Sequence, residues 1–318
     1  MNNLKNIKKI KGDASPRQFF RKKNKNLSSI IVVAKKNKFQ NLLVYDSINK
    51  ILNKNKILAP SLYQENYKKN YIEIQDFGDD TVFNILSKKK HNKFIYFKKI
   101  IKILVKIQLI KNKNIKNFKN FFFTIPEYKK NILIEEANLF CKWYVKNFLF
   151  KHDRKKFEKK FKEIIKKLVS NLKLKNDVLV HRDFHVSNLM IVNNQIGIID
   201  SQDALIGNQA YDLASLIDDV RIKTTRLLKK KIYDNYIKKK KKLDKNKFKN
   251  DFEILSILRN LKIIGIFTRL AMRDGKKNYL KLIRYAWDLI DMRISKNKIF
   301  GDLKKLLNQN FKRKLNEN

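Results

Sequence analysis

The sequence predicts an α+β fold, with a small N-terminal lobe of mixed sheet and helix followed by a larger, mainly helical lobe carrying one hairpin. Three observations predict it. β-Branched runs fall before residue 80, apolar residues recur at helical spacing after it, and one pair of short apolar runs interrupts the helices near residue 190. The lobes are drawn at residues 1–80 and 81–318.

Taken in order, residues 28–34 read as a strand and 39–52 as a helix, with Leu42, Leu43, Ile48, Ile51 and Leu52 on its apolar face. Residues 71–74 form a second strand, closed by a turn at Gln75-Asp76-Phe77-Gly78-Asp79-Asp80. Helical spacing covers 94–110, 135–150 and 157–172, resumes at 211–222, and returns at 252–272 and 279–290. The Lys-rich stretch 229–250 reads as a solvated helix or a mobile connection.

The 318 residues carry 75 Lys and Arg against 29 acids, a formal charge of +46. Such an excess is compatible with a nucleic-acid or membrane surface. Here it is mostly Lys, scattered along the whole chain together with abundant Asn, Ile, Phe and Tyr, so it reads as compositional bias and no specific nucleic acid is expected. Cys141 is alone, which excludes an intrachain disulfide and a thiolate metal cluster. The first ten residues lack the apolar core of a signal peptide, and no apolar run approaches a membrane span. A cytoplasmic location is expected.

Chemistry concentrates in residues 178–222. Two apolar runs, 189–192 and 196–199, flank the polar trio Asn193-Asn194-Gln195, so they read as a hairpin folding near residue 194. Asn188 and Asp200 then return to the same end. An Asn carbonyl beside an Asp carboxylate offers hard oxygen ligands suited to Mg²⁺, with phosphate oxygens completing the shell. Asp183, in the preceding loop, can accept a proton from a substrate hydroxyl. A base and a two-ligand metal site are the parts phosphoryl transfer requires.

His181-x-Asp183-x4-Asn188 followed by Ile199-Asp200 resembles the catalytic loop and metal segment of the aminoglycoside phosphotransferase and choline kinase family. Within it, the chain is most similar to bacterial anomeric kinases of N-acetylmuramate and N-acetylglucosamine. Further segments carry that likeness: Gly12-Asp13-Ala14-Ser15 with Arg17-Gln18-Phe19-Phe20-Arg21, then Ser201-Gln202-Asp203-Ala204 with Tyr211-Asp212-Leu213, and the stretch from Leu261 to Gly275. The resemblance implies a protein kinase-like two-lobed fold and an ATP- and Mg²⁺-dependent transfer of phosphate to a small hydroxylated acceptor. That acceptor would be an amino sugar phosphorylated at its anomeric oxygen in cell-wall recycling.

The likeness implies Asp183 as base, Asn188 and Asp200 as metal ligands, and His181 and Asp212 as residues that hold the catalytic loop. Ser15 would cradle phosphate, and Asp76 and Phe77 would form the hinge that holds adenine through backbone groups. Lys35 is the candidate strand lysine; the following helix offers it no clear partner glutamate, and Asp46 and Glu65 are candidates by proximity alone. Gln202 and Asp203 would face the acceptor. His185 would either join them or serve the loop structurally. Other readings stay open: a kinase of choline or an aminoglycoside, and a basic nucleic-acid- or membrane-binding relative. The sequence departs from the family in having one glycine in the loop at Gly12, Pro16 where an aromatic is usual, and Gln75 in place of a common Glu.

Overall fold

The computed structural model describes residues 6–10, 17–24, 27–35, 40–88, 92–295 and 297–311. The chain forms two compact units, one of residues 1–126 with 178–206, the other of 127–177 with 207–318. The boundary expected at residue 80 falls inside the first unit, because helices beyond it pack on the hairpin of the 178–206 segment.

The first unit is built on five antiparallel strands: β1 (Ile7–Ile10), β2 (Gln18–Asn24), β3 (Leu27–Val33), β4 (Leu62–Asn66) and β5 (Tyr71–Gln75), in the order β1-β2-β3-β5-β4. Ile72 and Ile74 point to one face by the period-2 alternation of β5. Helix α1 (Gln40–Lys54) lays Leu42 and Tyr45 on that face, against Val32, Ala34, Ile72 and Ile74. The predicted strands at 28–34 and 71–74 and the helix at 39–52 thus lie within a few residues of observed elements. Strand β2 escaped prediction because its sequence, QFFRKKN, has no apolar alternation; its pairing with β3 across Gln18–Val33 to Asn24–Leu27 defines it.

Beyond the sheet, α2 (Val82–Ser87) starts where the Thr81 hydroxyl accepts the Asn84 N–H, 3.0 Å. Helix α3 (Lys93–Ile107) buries Phe97, Ile100, Ile101, Leu104 and Ile107 along one stripe. A short hairpin follows, β6 (Asn114–Lys116) with β7 (Phe122–Thr124). The 178–206 segment contributes β9 (Leu189–Val192) and β10 (Gln195–Ile198); β8 (Asn176–Val180) leads into it and β11 (Leu205–Asn208) out of it.

The second unit is helical: α4 (Lys130–Ala137), α5 (Lys146–Phe148), α6 (Lys151–Ser170), α7 (Tyr211–Ile217), α8 (Arg226–Lys239), α9 (Lys245–Met272), α10 (Leu280–Ile294) and α11 (Gly301–Phe311). Its centre is α9, buried around nearly its whole circumference between Phe248 and Ala271. Two sequence expectations are corrected here. The helix read at 135–150 is broken by a π-helical turn over Phe140–Val145, which brings the Leu139–Phe140 backbone against Gly265 of α9. Of the two readings of 229–250, the solvated helix holds over most of the stretch, in α8 and the start of α9, although Lys229 is buried with its Nζ 3.2 Å from Asp218 Oδ1. Helix α7 also stops at Ile217, short of the expected 222.

Candidate active site

The site residues gathered in the first unit sit on the β9–β10 hairpin and the loop before it. The register pairs Leu189 with Ile198 and Val192 with Gln195, so the hairpin turns on two residues, Asn193-Asn194. Both have positive φ, 47° and 61°, the requirement of a type I′ turn, which Asn tolerates better than other side chains. The fold therefore lies half a residue earlier than the sequence suggested. Asn188 faces Ile199, whose N–H donates to its carbonyl at 3.1 Å, and Asp200 follows one step beyond. Both polar residues still reach the same end.

The hairpin is fixed from two sides. Ile198 N–H donates to the Leu58 carbonyl and Ile191 N–H to the Asp80 carbonyl, each at 2.8 Å. Gly197 is required there, since a Cβ would stand 2.7 Å from the Phe77 ring. Phe77, expected at the adenine hinge, thus has a buried side chain that packs on the hairpin. Ser201, next to Asp200, donates from Oγ to Asn49 Oδ1 on α1 at 2.6 Å, and Asn49 Nδ2 donates to the Pro60 carbonyl. Sequence reasoning missed Asn49, because an Asn inside an apolar helix signals nothing until its partner is known.

In the preceding loop the Asp183 carbonyl accepts from His185 N–H at 3.0 Å and from Asn188 Nδ2 at 3.1 Å. The spacing of Asp183 and Asn188 is what lets this loop close on itself through a single turn at Val186–Asn188. With its amide nitrogen committed, the Asn188 side chain is held in one orientation, its oxygen the remaining acceptor. His185 Nε2 lies 3.4 Å from the same amide nitrogen, and His185 is buried. His181, also buried, donates from Nε2 to the Ile199 carbonyl at 3.1 Å, tying the loop to the hairpin beside Asp200. Arg182 and Asp200 both adopt left-handed backbone, φ 72° and 63°, a strained conformation for such residues.

Asp200 Oδ1 accepts from Arg17 Nη2 at 2.8 Å. Burial pushes the Asp200 carboxyl above the usual carboxylate range; Arg17 opposes this, the nearby Asp183 carboxylate adds to it, and His181 opposes it. Gln202, buried, donates to the exposed Asp203 at 2.8 Å, and Arg182 donates to the Asp203 carbonyl at 3.3 Å. Lys35 is exposed just past β3. Its two candidate acids are committed elsewhere, Asp46 to Lys50 at 2.7 Å and Glu65 to Lys119 at 2.8 Å. The Asp76 carboxylate is taken by Arg21. Asp212 is wholly buried in the first turn of α7, in the second unit. Ser15 and Gly12 lie outside the described residues.

For a divalent cation, Asn188 and Asp200 supply two hard oxygen donors at one end of a rigid hairpin, a set that fits Mg²⁺ carried with phosphate oxygens. Among the described residues no group of three or more His, Cys, Asp or Glu could hold a metal. No described helix is long and apolar enough to cross a membrane.

The sequence model of the phosphotransferase enzyme family matches residues 6–237, and the chain belongs to that family: it is a kinase-type phosphotransferase. It is 26% identical over 277 residues to the N-acetylmuramate/N-acetylglucosamine kinase of Neisseria meningitidis serogroup B, covering 84% of this chain and 79% of that one. The enzyme of the same name from Pseudomonas putida is 25% identical over 274 residues, covering 84% and 77%. Among solved structures, an ADP-bound aminoglycoside phosphotransferase superposes with a TM-score of 0.60 at 15% identity, covering 89% of this chain and 94% of that one.

Proposed function

We propose that this phosphotransferase moves the γ-phosphate of ATP onto the anomeric hydroxyl of an amino sugar, N-acetylmuramate or N-acetylglucosamine, in the cytoplasm as a step of cell-wall recycling. The observation that carries the reading is the Asp183–Asn188 loop, closed on the Asp183 carbonyl and set beside a hairpin that ends in Asp200. The similarity to kinases of that name, over 84% of this chain, supports the acceptor.

In this reading residues 1–80 carry the nucleotide, with Asp76 and Phe77 at the adenine hinge and Ser15 at the phosphates, and 81–318 carry the acceptor and the reacting groups. Asn188 and Asp200 hold Mg²⁺, which neutralises charge on the phosphates. Asp183 orients the acceptor hydroxyl and takes its proton as the sugar oxygen bonds to phosphorus and the bond to the β-phosphate oxygen breaks, leaving ADP. An anomeric hydroxyl is more acidic than an ordinary alcohol, so one carboxylate suffices. His181 keeps loop and hairpin in register, and Gln202, Asp203 and His185 meet the sugar.

The test is Asp183→Asn, followed by mass spectrometry of the product from ATP and each sugar. Turnover should fall by about a hundredfold or more while Mg-nucleotide binding persists. Undiminished turnover refutes Asp183 as base. Choline and an aminoglycoside belong on the same acceptor panel, and faster phosphorylation of either reassigns the substrate.

A further inference from the structure

Arg17 immediately precedes β2 and is buried, 7% exposed in a chain whose other cations are mostly solvated. Its Nη2 stands 2.8 Å from Asp200 Oδ1, and the guanidinium lies 5.8 Å from the centre of the Phe19 ring and 5.9 Å from that of Tyr45. Burying a cation is unfavourable unless it is paired, and this one is paired to the proposed metal ligand. Gln18, the residue after Arg17, pairs with Val33, two residues before Lys35. The sheet thus sets a buried arginine just before the strand beside the position where a phosphate-binding lysine was expected, while Lys35 itself is exposed.

We propose that Arg17, placed by β2 against Asp200, is the cation that holds the phosphates of the nucleotide, in the role the sequence suggested for Lys35. The reasons are positional and chemical. A group that holds phosphate must lie where the metal-bound phosphates lie, and Arg17 touches a metal ligand. A guanidinium presents a planar fork of N–H donors matched to phosphate oxygens, whereas an ammonium acts as a point charge. The Phe19 and Tyr45 rings near the guanidinium, with its ion pair to Asp200, confine that fork, so little order is lost when phosphate arrives. The inference rests on the nucleotide reading above and adds the identity of its phosphate anchor.

The experiment measures Kd values of ATP with and without Mg²⁺, and of adenosine, by displacement of a fluorescent nucleotide from wild type, Arg17→Gln, Arg17→Lys and Lys35→Gln. Arg17→Gln should weaken ATP by about tenfold to a hundredfold in either condition and adenosine by less than about twofold. Arg17→Lys, which keeps the charge and guards against loss of folding, should fall between wild type and Arg17→Gln for ATP. Lys35→Gln should stay within about twofold of wild type. Arg17 is overturned if its variants bind ATP as wild type does, if they lose adenosine as much as ATP, or if Lys35→Gln shows the larger loss. Wild type that binds no ATP at all would overturn the nucleotide reading along with it, which separates the two failures.

Discussion

Arg21 Nε stands 2.6 Å from Asp76 Oδ2, and its Nη2 donates to Asp76 Oδ1 at 3.1 Å. The same guanidinium donates to Asp79 at 2.8 Å and to the Gly78 carbonyl at 3.1 Å. One side chain of β2 therefore binds the whole turn after β5. The two segments were read from the sequence as a nucleotide loop and a hinge, with no indication that they touch.

The two acids of that turn differ in burial, Asp76 at 3% side-chain exposure and Asp79 at 83%. Asp76→Asn should destabilise the protein by about 2 kcal/mol, the scale of a charge-assisted hydrogen bond shielded from water. Asp79→Asn should cost less than about 1 kcal/mol, because water screens it. Denaturant unfolding of both variants checks the order, and equal effects would contradict it.

Gly265 has no room for a side chain. A Cβ there would lie 2.3 Å from the carbonyl carbon and oxygen of Leu139. Alanine favours a helix by about 1 kcal/mol over glycine, yet overpacking against backbone costs about 1–3 kcal/mol, and rigid backbone puts this site at the upper end. Gly265→Ala should therefore lower the melting temperature. Gly301→Ala, where a Cβ meets nothing within 4 Å, should leave it unchanged or slightly raised.

Asp218 is fully buried among Lys229, Arg293 and Ser256, with Arg293 Nε at 2.9 Å and Ser256 Oγ at 2.5 Å. Desolvation alone would raise its pKa; Arg293 and Lys229, with the Ser256 hydroxyl, reverse that and hold it below the usual carboxylate range. A lowered folded-state pKa contributes stability that is complete above the unfolded value of about 4 and is lost as pH falls through the folded value. Asp218→Asn should cost about 3–5 kcal/mol at neutral pH, because the buried Lys229 and the half-buried Arg293 stay without their anion. It should also show a shallower loss of stability below about pH 4 than wild type. Parallel acid limbs in urea titrations of the two proteins would remove Asp218 from the acid response.

Much of the architecture was legible where local pattern and packing agree. Ile72 and Ile74 announced β5, and the apolar stripe of residues 42–52 announced α1. The hairpin was legible because two β-branched runs flank residues that tolerate left-handed backbone. Other elements were hidden for stated reasons. Strand β2 exists through its neighbour, and the π-helical turn at Phe140–Val145 sits beside the one glycine of α9, a long-range coincidence no window can see. The charge of +46 misled at Lys229, which a Lys-rich stretch presents as solvated and the fold buries.

For the site, the sequence by itself determined the residue types and their spacing: Asp183, Asn188 and Asp200 around a hairpin, with the family they point to. Periodicity and turn chemistry are local, so they survive in one dimension. Tertiary structure alone decided which cation stands at Asp200. Lys35 and Arg17 are eighteen residues apart in a chain holding 75 Lys and Arg, and composition cannot rank them. The antiparallel register of β2 on β3 and the burial of one guanidinium near two rings and against Asp200 do so, because both depend on contacts between residues distant in sequence.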